Sequence, residues 1–256
     1  MKNSPVAGSD KPSLEALVEA GVVGLRTLHP GGLGLTAELA DLCGISAGTR
    51  VLDVACGTGE TGCYLTEKYG AAVTGVDRSE TLLAQARDTA ESRLLEVRFC
   101  SGDAESLPFP DGEFDVAVCE CTLCLLDKAV ALSEMVRVVG SGGRVGMHDL
   151  SWEVNATADV RRRLAEIEDE RPETLEGWKE LFGAAGLSRI VALDRSALKR
   201  DWMRDVRAQL GFAGQLRVGA YALRRWGLRG LWRIIQSERV FSNDQLGYAL
   251  IAGRRP

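Results

Sequence analysis

Residues 50–62 read RVLDVACGTGETG, a short apolar run closed by a G-x-G-x-x-G turn at Gly57, Gly59 and Gly62. A run this short, bounded by glycines and rich in valine, reads as a buried strand. Glycines at that spacing let the chain turn tightly and bring its backbone against a ligand at the N-terminus of the next helix. A strand, a glycine turn and a helix in that order constrain the chain to an α/β architecture. The turn alone does not choose its ligand, because several nucleotide-like molecules exploit the same backbone geometry.

The same rhythm recurs downstream. Strand-like runs at Ala72–Asp77, Val97–Asp103, Phe114–Glu120 and Arg144–Asp149 alternate with helical patterns at 64–69, 81–90 and 129–139. Such alternation describes βαβ units, hence a parallel sheet buried on both faces. Helices are expected at 156–170 and 175–185, and two further strands at Ser188–Asp194 and Gly247–Arg254. Ahead of the sheet, Ser13 opens a capped helix reaching about Leu28, His29-Pro30-Gly31-Gly32 forms a turn, and Thr36–Cys43 a second helix. This divides the chain into an N-terminal tail and helical cover (1–43) and a main domain (44–256), with a helical cap inserted at 194–243.

The totals narrow the class. A chain of 256 residues, 45% hydrophobic, supports a sizeable core. Its net charge of −5 argues against nucleic acid as an obligatory partner. The first eleven residues are polar and read as no signal peptide, and no stretch reaches the roughly 18 apolar residues of a membrane span. Seven cysteines, an odd number, fit reduced thiols in a cytoplasm, with no disulfides. Eleven Lys/Arg against three Asp/Glu over Arg195–Val240 make that segment strongly basic. Within it, Leu228, Leu231, Trp232 and Ile235 fall at the spacing of a core-packed helix stripe, with Arg224, Arg225, Arg229 and Arg233 on the other side. The segment is therefore read as a pocket cap or a dimer contact, in a monomer or a homodimer.

Acidic residues separate the candidate ligands. Asp53 lies inside the first strand, just ahead of the glycines, where it would oppose a pyrophosphate but suit an ammonium. Asp77 ends the second strand, where a carboxylate can accept both hydroxyls of a ribose. Asp103 follows the third strand, where an acid and the N–H of Ala104 can read an adenine edge. Three acids at successive strand ends describe a cationic nucleoside without phosphate, S-adenosylmethionine (SAM), better than NAD.

VLDVACGTGETG, VTGVDRS, GDAESLPFPDGEFDVAVCE and VRVVGSGGRVGMHDL resemble, in order and spacing, the core of class I SAM-dependent methyltransferases. The nearest branch includes quinone, sterol and arsenite methyltransferases. The resemblance implies a doubly wound, seven-stranded, mostly parallel Rossmann-like sheet, its last strand antiparallel and preceded by the helical insertion. It places SAM across the carboxyl ends of the strands, against Asp53, Ala55, Cys56, Gly57 and Gly59 of the turn. Asp77, Arg78, Asp103, Ala104 and Cys119 would complete that cofactor site. Ala55 stands where the family carries the first glycine of its loop.

The acceptor side is less determined. Methyl transfer is an in-line displacement on a carbon activated by a sulfonium, so alignment and water exclusion matter most. For an acceptor that must lose a proton, His148 is a candidate base, with Asp149 to orient or replace it and His29 to cover the site. His148 equally reads as a hydrogen-bonded loop histidine. Cys119, Cys121 and Cys124 form C-x-C-x-x-C. A structural zinc needs four ligands; there is no second C-x-x-C, and nothing in the spacing requires His29 or His148 as the fourth. CECTLCLLDK is similar to the segment of arsenite methyltransferases that carries a substrate-binding cysteine, which Cys121 matches, yet no later cysteine completes that set. The plainest reading is apolar packing at a strand end. The expected activity is methylation of a small molecule; an arsenite acceptor and a non-catalytic SAM-binding protein are the alternatives.

Overall fold

Apolar runs buried on both faces need helices above and below, and the sheet supplies the common plane. The computed structural model describes residues 12–24 and 29–256. Its sheet contains β1 (Arg50–Val54), β2 (Ala72–Asp77), β3 (Arg98–Ser101), β4 (Phe114–Glu120), β5 (Val139–Trp152), β6 (Glu173–Thr174), β7 (Ser188–Asp194) and β8 (Leu246–Arg254). The order is β3-β2-β1-β4-β5-β8-β7, with the two-residue β6 paired to β5 off that path. Strands β1 to β6 pair in parallel, whereas β8 runs antiparallel to both β5 and β7. All seven expected strands are present, and β6 is the addition. The order reverses between β1 and β4, so the carboxyl ends of those strands open the crevice where ligands of such sheets bind.

β5 runs three residues beyond its expected end at Asp149. The reason is β8, which pairs with it residue for residue from Arg144↔Arg254 to Trp152↔Leu246. That ladder satisfies backbone groups that a strand end would otherwise expose.

The helices are α1 (Leu14–Glu19), α2 (Gly32–Cys43), α3 (Glu60–Tyr69), α4 (Glu80–Ser92), α5 (Lys128–Val138), α6 (Ala158–Glu168), α7 (Leu175–Ala184) and α8 (Ser196–Phe241). Ser13 caps α1 as expected, its hydroxyl accepting the Ala16 N–H at 3.1 Å. The helix nevertheless stops at Glu19, before Gly21 at φ 65°, and residues 25–28 lie outside the described residues. α2 starts four residues earlier than the sequence indicates, because Gly31 at φ 80° turns the chain into it directly. α7 buries Trp178 and Phe182 completely, and the Trp178 indole donates to the Leu150 carbonyl at 2.9 Å. Each such aromatic side chain contributes roughly 1.5–3 kcal/mol by leaving water.

The apolar stripe expected on the basic segment is not the packed face. Leu228 and Trp232 are 77% and 62% exposed, and Ile235 is exposed too. α8 is broken at Gly211 and again at Gly227 (φ 69°, ψ −164°), and the stripe lies wholly in the segment after the second break, its spacing intact but its face turned to solvent. Packing instead uses Tyr221, Trp226 and Ile234, which join Val206, Leu210 and Val218 against Leu17, Val18, Val22, Val23 and Leu82 in a second, smaller core. Arg233, expected on the solvated side, reaches back to the Ile167 carbonyl at the end of α6. Among the described residues no helix is long and apolar enough to cross a membrane.

Candidate active site

The glycine turn is built by exchange between β1 and β2. The Cys56 N–H donates to the Val76 carbonyl at 3.0 Å and the Gly57 N–H to Asp77 Oδ2 at 2.9 Å. Asp77 Oδ1 takes the Ser79 N–H, also at 2.9 Å, so one carboxylate ties the turn to the start of α4. Each oxygen keeps a further lone pair for a ligand hydroxyl. Gly59, at φ 75°, is the N-cap of α3. Ala55 adopts φ 58°, a left-handed conformation that costs a non-glycine residue about 1–2 kcal/mol. The turn therefore keeps its shape, under strain, without the glycine usual there.

Asp53 is buried beneath this turn, and its Oδ2 has no hydrogen-bond partner among the described residues. Burial, then the neighbouring Glu120 and Asp77 carboxylates, push its pKa well above the usual range. A cation beside it would relieve all three effects, which fits the ammonium of SAM. A Cβ built on Gly57 would meet nothing within 4 Å, leaving room beside the turn for a nucleoside. Asp103 is exposed and its Oδ1 accepts the Glu105 N–H at 2.9 Å, with half-buried Ala104 between them. Arg78 is exposed; Cys119 is buried in β4, in register with Val54 and Met147.

The acceptor-side candidates divide. His148 is not a loop residue: it lies within β5, fully buried, in register with Glu120 at the end of β4. His148 Nε2 sits 2.9 Å from Glu120 Oε1, and His29 Nε2, from the turn ahead of α2, 3.1 Å from Glu120 Oε2. The imidazole centroids are 4.5 Å apart. Thr61 and Thr36 hydroxyls donate to Glu120 Oε2 at 2.6 and 3.3 Å. On the far side, His148 Nδ1 is 2.9 Å from the Tyr248 hydroxyl, which also contacts Cys121 Sγ at 2.5 Å. Burial works against charge on Glu120, but the two imidazoles outweigh it and hold its pKa well below the usual range. Burial likewise opposes the His29 cation, yet Glu120 and the Pro30 carbonyl raise its pKa; at His148 burial wins and the pKa is lowered.

Asp149 does not join this group. Successive strand residues point to opposite faces, and its carboxylate instead accepts the Cys124 and Leu150 N–H groups at 3.0 and 2.7 Å. Burial raises its pKa to about 6. It braces the turn after β4 and cannot orient His148.

The cysteines separate as well. β4 ends at Glu120 and Cys121 turns to φ 54°, so Cys119 and Cys121 do not continue as one extended face. Cys124 lies in the short 3-10 turn Leu123–Leu125. Burial, then nearby carboxylates, drive all three thiols well above their ordinary pKa. Glu120, Thr61 and Tyr248 were not singled out by sequence; the acid at the β4 end was the available signal.

A methyltransferase-domain family matches residues 51–143. The methyltransferase GfsG of Streptomyces halstedii is 30% identical over 260 residues, covering 96% of this chain and 84% of its own. The chain belongs to the SAM-dependent methyltransferases. The 27-O-demethylrifamycin SV methyltransferase of Amycolatopsis mediterranei is 27% identical over 243 residues, covering 90% of this chain and 86% of its own. Among solved structures, the [4+2]-cyclase SpnF superposes with a TM-score of 0.78 at 25% identity, covering 94% of this methyltransferase and 91% of SpnF. Family membership sets aside the dinucleotide reading of the glycine turn.

Proposed function

We propose that this methyltransferase moves the methyl group of SAM to a hydroxyl oxygen of a small organic acceptor. The observation that carries the reading is the Thr61–Glu120 hydrogen bond, 2.6 Å long. Thr61 belongs to the helix that opens at the glycine turn, and Glu120 anchors the histidine cluster, so the cofactor cradle and the polar cluster are neighbours at one sheet edge. SAM would lie with its ammonium toward Asp53, its ribose toward Asp77 and its adenine toward Asp103 and Ala104. An acceptor oxygen beside His29, His148 and Tyr248 would form its bond to the methyl carbon as the S–CH3 bond breaks. The electron pair goes to sulfur, giving neutral S-adenosylhomocysteine, and the hydroxyl proton leaves to solvent. The rifamycin-methylating relative, aligned over most of both chains, supports an oxygen acceptor. The core shared by α8 and the N-terminal segment would shape the acceptor space.

The arsenite reading fares less well, because a thiolate grip needs ionisable thiols and Cys121 is engaged by Tyr248. The test is transfer of labelled methyl from SAM to a panel of hydroxyl-bearing small molecules, with arsenite plus thiol as a separate arm. S-adenosylhomocysteine binding is measured alongside. Label in a hydroxyl acceptor supports the reading. Transfer to arsenite that fails in Cys121→Ser replaces it, and tight binding with no transfer to any acceptor points to a non-catalytic SAM-binding protein.

A further inference from the structure

Three side chains from three separate elements converge at the carboxyl edge of the sheet. They are His29 from the turn before α2, Glu120 from the end of β4 and His148 from β5, and one ligand-type atom of each lies within 4.8 Å of the others. All three side chains are buried, with side-chain exposures of 7%, 6% and 0%. The outward ring nitrogens are already used. His29 Nδ1 lies 3.3 Å from the Pro30 carbonyl, which can only accept, so that nitrogen carries a hydrogen. His148 Nδ1 faces the Tyr248 hydroxyl. Nε2 of both rings is turned to the Glu120 carboxylate.

Ring nitrogens and carboxylate oxygens this close need a shared cation between them, either a proton or a metal ion. A proton would serve only if it pointed along the contact. The geometry does not allow that: His29 Nε2, His148 Nε2 and Glu120 Oε1 are buried without an aligned hydrogen-bond partner among the described residues. The separations of 3.1 and 2.9 Å are instead near the roughly 3.3 Å edge of a tetrahedron with bonds of about 2.0–2.1 Å to nitrogen and oxygen. A carbonyl or hydroxyl on the distal nitrogen of each histidine, with hydroxyls bracing the carboxylate, is how outer partners orient metal ligands.

We propose that His29, Glu120 and His148 form a binding site for a divalent transition metal, zinc being the ion best matched by two imidazoles and a carboxylate. Three protein ligands leave a coordination position open. The proposal deepens the methyltransferase reading, since an acceptor hydroxyl bound at that position would lose its proton to water more readily before attacking the methyl carbon. The cysteine motif takes no part: the site draws on residues far apart in sequence.

The test uses the full-length protein. Metal content is measured by inductively coupled plasma mass spectrometry on purified wild type, His29→Gln and Glu120→Gln. Chelated protein is then titrated with Zn2+ and with Co2+ as a spectroscopic probe. The expected result is one metal per chain, visible Co2+ bands without thiolate-to-cobalt charge transfer, and affinity at least about tenfold weaker in both variants. Zn2+ should raise the melting temperature of wild type but of neither variant. Thr36→Ala, which removes only a brace on Glu120, gives an intermediate loss if a ligand variant does not fold. Substoichiometric metal in wild type after Zn2+ addition, equal affinity in the variants, or a charge-transfer band would each overturn the site. S-adenosylhomocysteine titration of the chelated protein keeps the two readings apart. Binding without metal uptake sinks the metal site alone; metal uptake without such binding sinks the cofactor assignment and leaves the site standing.

Discussion

Gly57 and Gly59 share a left-handed backbone, with φ of 52° and 75°, but not surroundings. A Cβ on Gly57 would meet nothing within 4 Å, whereas one on Gly59 would lie 2.7 Å from both Ala86 Cβ and Phe99 Cζ. Ala86 cannot swing away, having no further torsion and lying fully buried in α4, whereas the half-buried Phe99 ring in β3 can give only on its own side. Alanine at either glycine costs about 1–2 kcal/mol for the left-handed conformation. The stiffer unfolded chain offsets about 0.4–1 kcal/mol of that. Gly59→Ala adds a packing conflict of about 1–3 kcal/mol, and that surplus is the quantity to measure.

Urea denaturation of Gly57→Ala and Gly59→Ala, compared at equal m-value, should therefore show Gly59→Ala less stable by about 1–3 kcal/mol. Ligand binding should rank them the other way. The Gly57 methyl enters the space assigned to the nucleoside, so Gly57→Ala should weaken S-adenosylhomocysteine by at least about tenfold, or 1.4 kcal/mol. Equal stabilities, or a Gly57→Ala protein that binds like wild type, would refute the placement of the ligand beside residue 57.

Tyr248→Phe removes the hydroxyl shared by His148 Nδ1 and Cys121 Sγ and leaves a buried ring nitrogen unpaired, at a cost of about 1–3 kcal/mol by urea denaturation; a loss under about 0.5 kcal/mol would show the contact idle. Glu38 on α2 and Arg195 at the start of α8 form a clamp, with an Nε–Oε2 distance of 2.9 Å, and that hydrogen bond holds the Glu38 pKa low. Its contribution, under about 1 kcal/mol at this partly exposed site, is present above the ordinary carboxylate range and lost as pH falls through the lowered folded-state value. Stability of Glu38→Gln should lack that acid-side decline, and parallel pH profiles would contradict the assignment. In native protein at mildly alkaline pH, Ellman's reagent should leave Cys119, Cys121 and Cys124 unmodified until denaturant is added. Loss of a fast-reacting thiol in Cys121→Ser would reverse that and reopen the thiol-grip reading.

What the sequence discloses and what it conceals follow from the range of the interactions. Strand runs such as 72–77 and 114–120 are legible because burial on both faces writes itself into consecutive residues. The places of Asp53, Asp77 and Asp103 in or just after the first three strands are legible for a similar reason, since the runs define those strands. α8 misleads because the helical period tells which residues share a face and not whether that face meets the core: Leu228, Trp232 and Ile235 keep helical spacing within the segment after Gly227 and still stand exposed. The start of α2 is missed because a glycine pair reads as a stop, while Gly31 in the left-handed region serves as the entry.

The histidine cluster belongs to a third kind of information, carried only by strand pairing. In the parallel β4–β5 ladder Glu120 stands in register with His148, so their side chains share a face. In the antiparallel β5–β8 ladder His148 faces Leu250 and Tyr248 lies two residues along the same face, within diagonal reach. Asp149 is opposite Ala249, on the other face, although it is covalently next to His148. Nearness along the chain thus pairs His148 with the wrong acid, and sheet order pairs it with the right one. Once the order β4-β5-β8 is known, alternation alone brings Glu120, His148 and Tyr248 together, and the turn before α2 then needs only to place His29 over them.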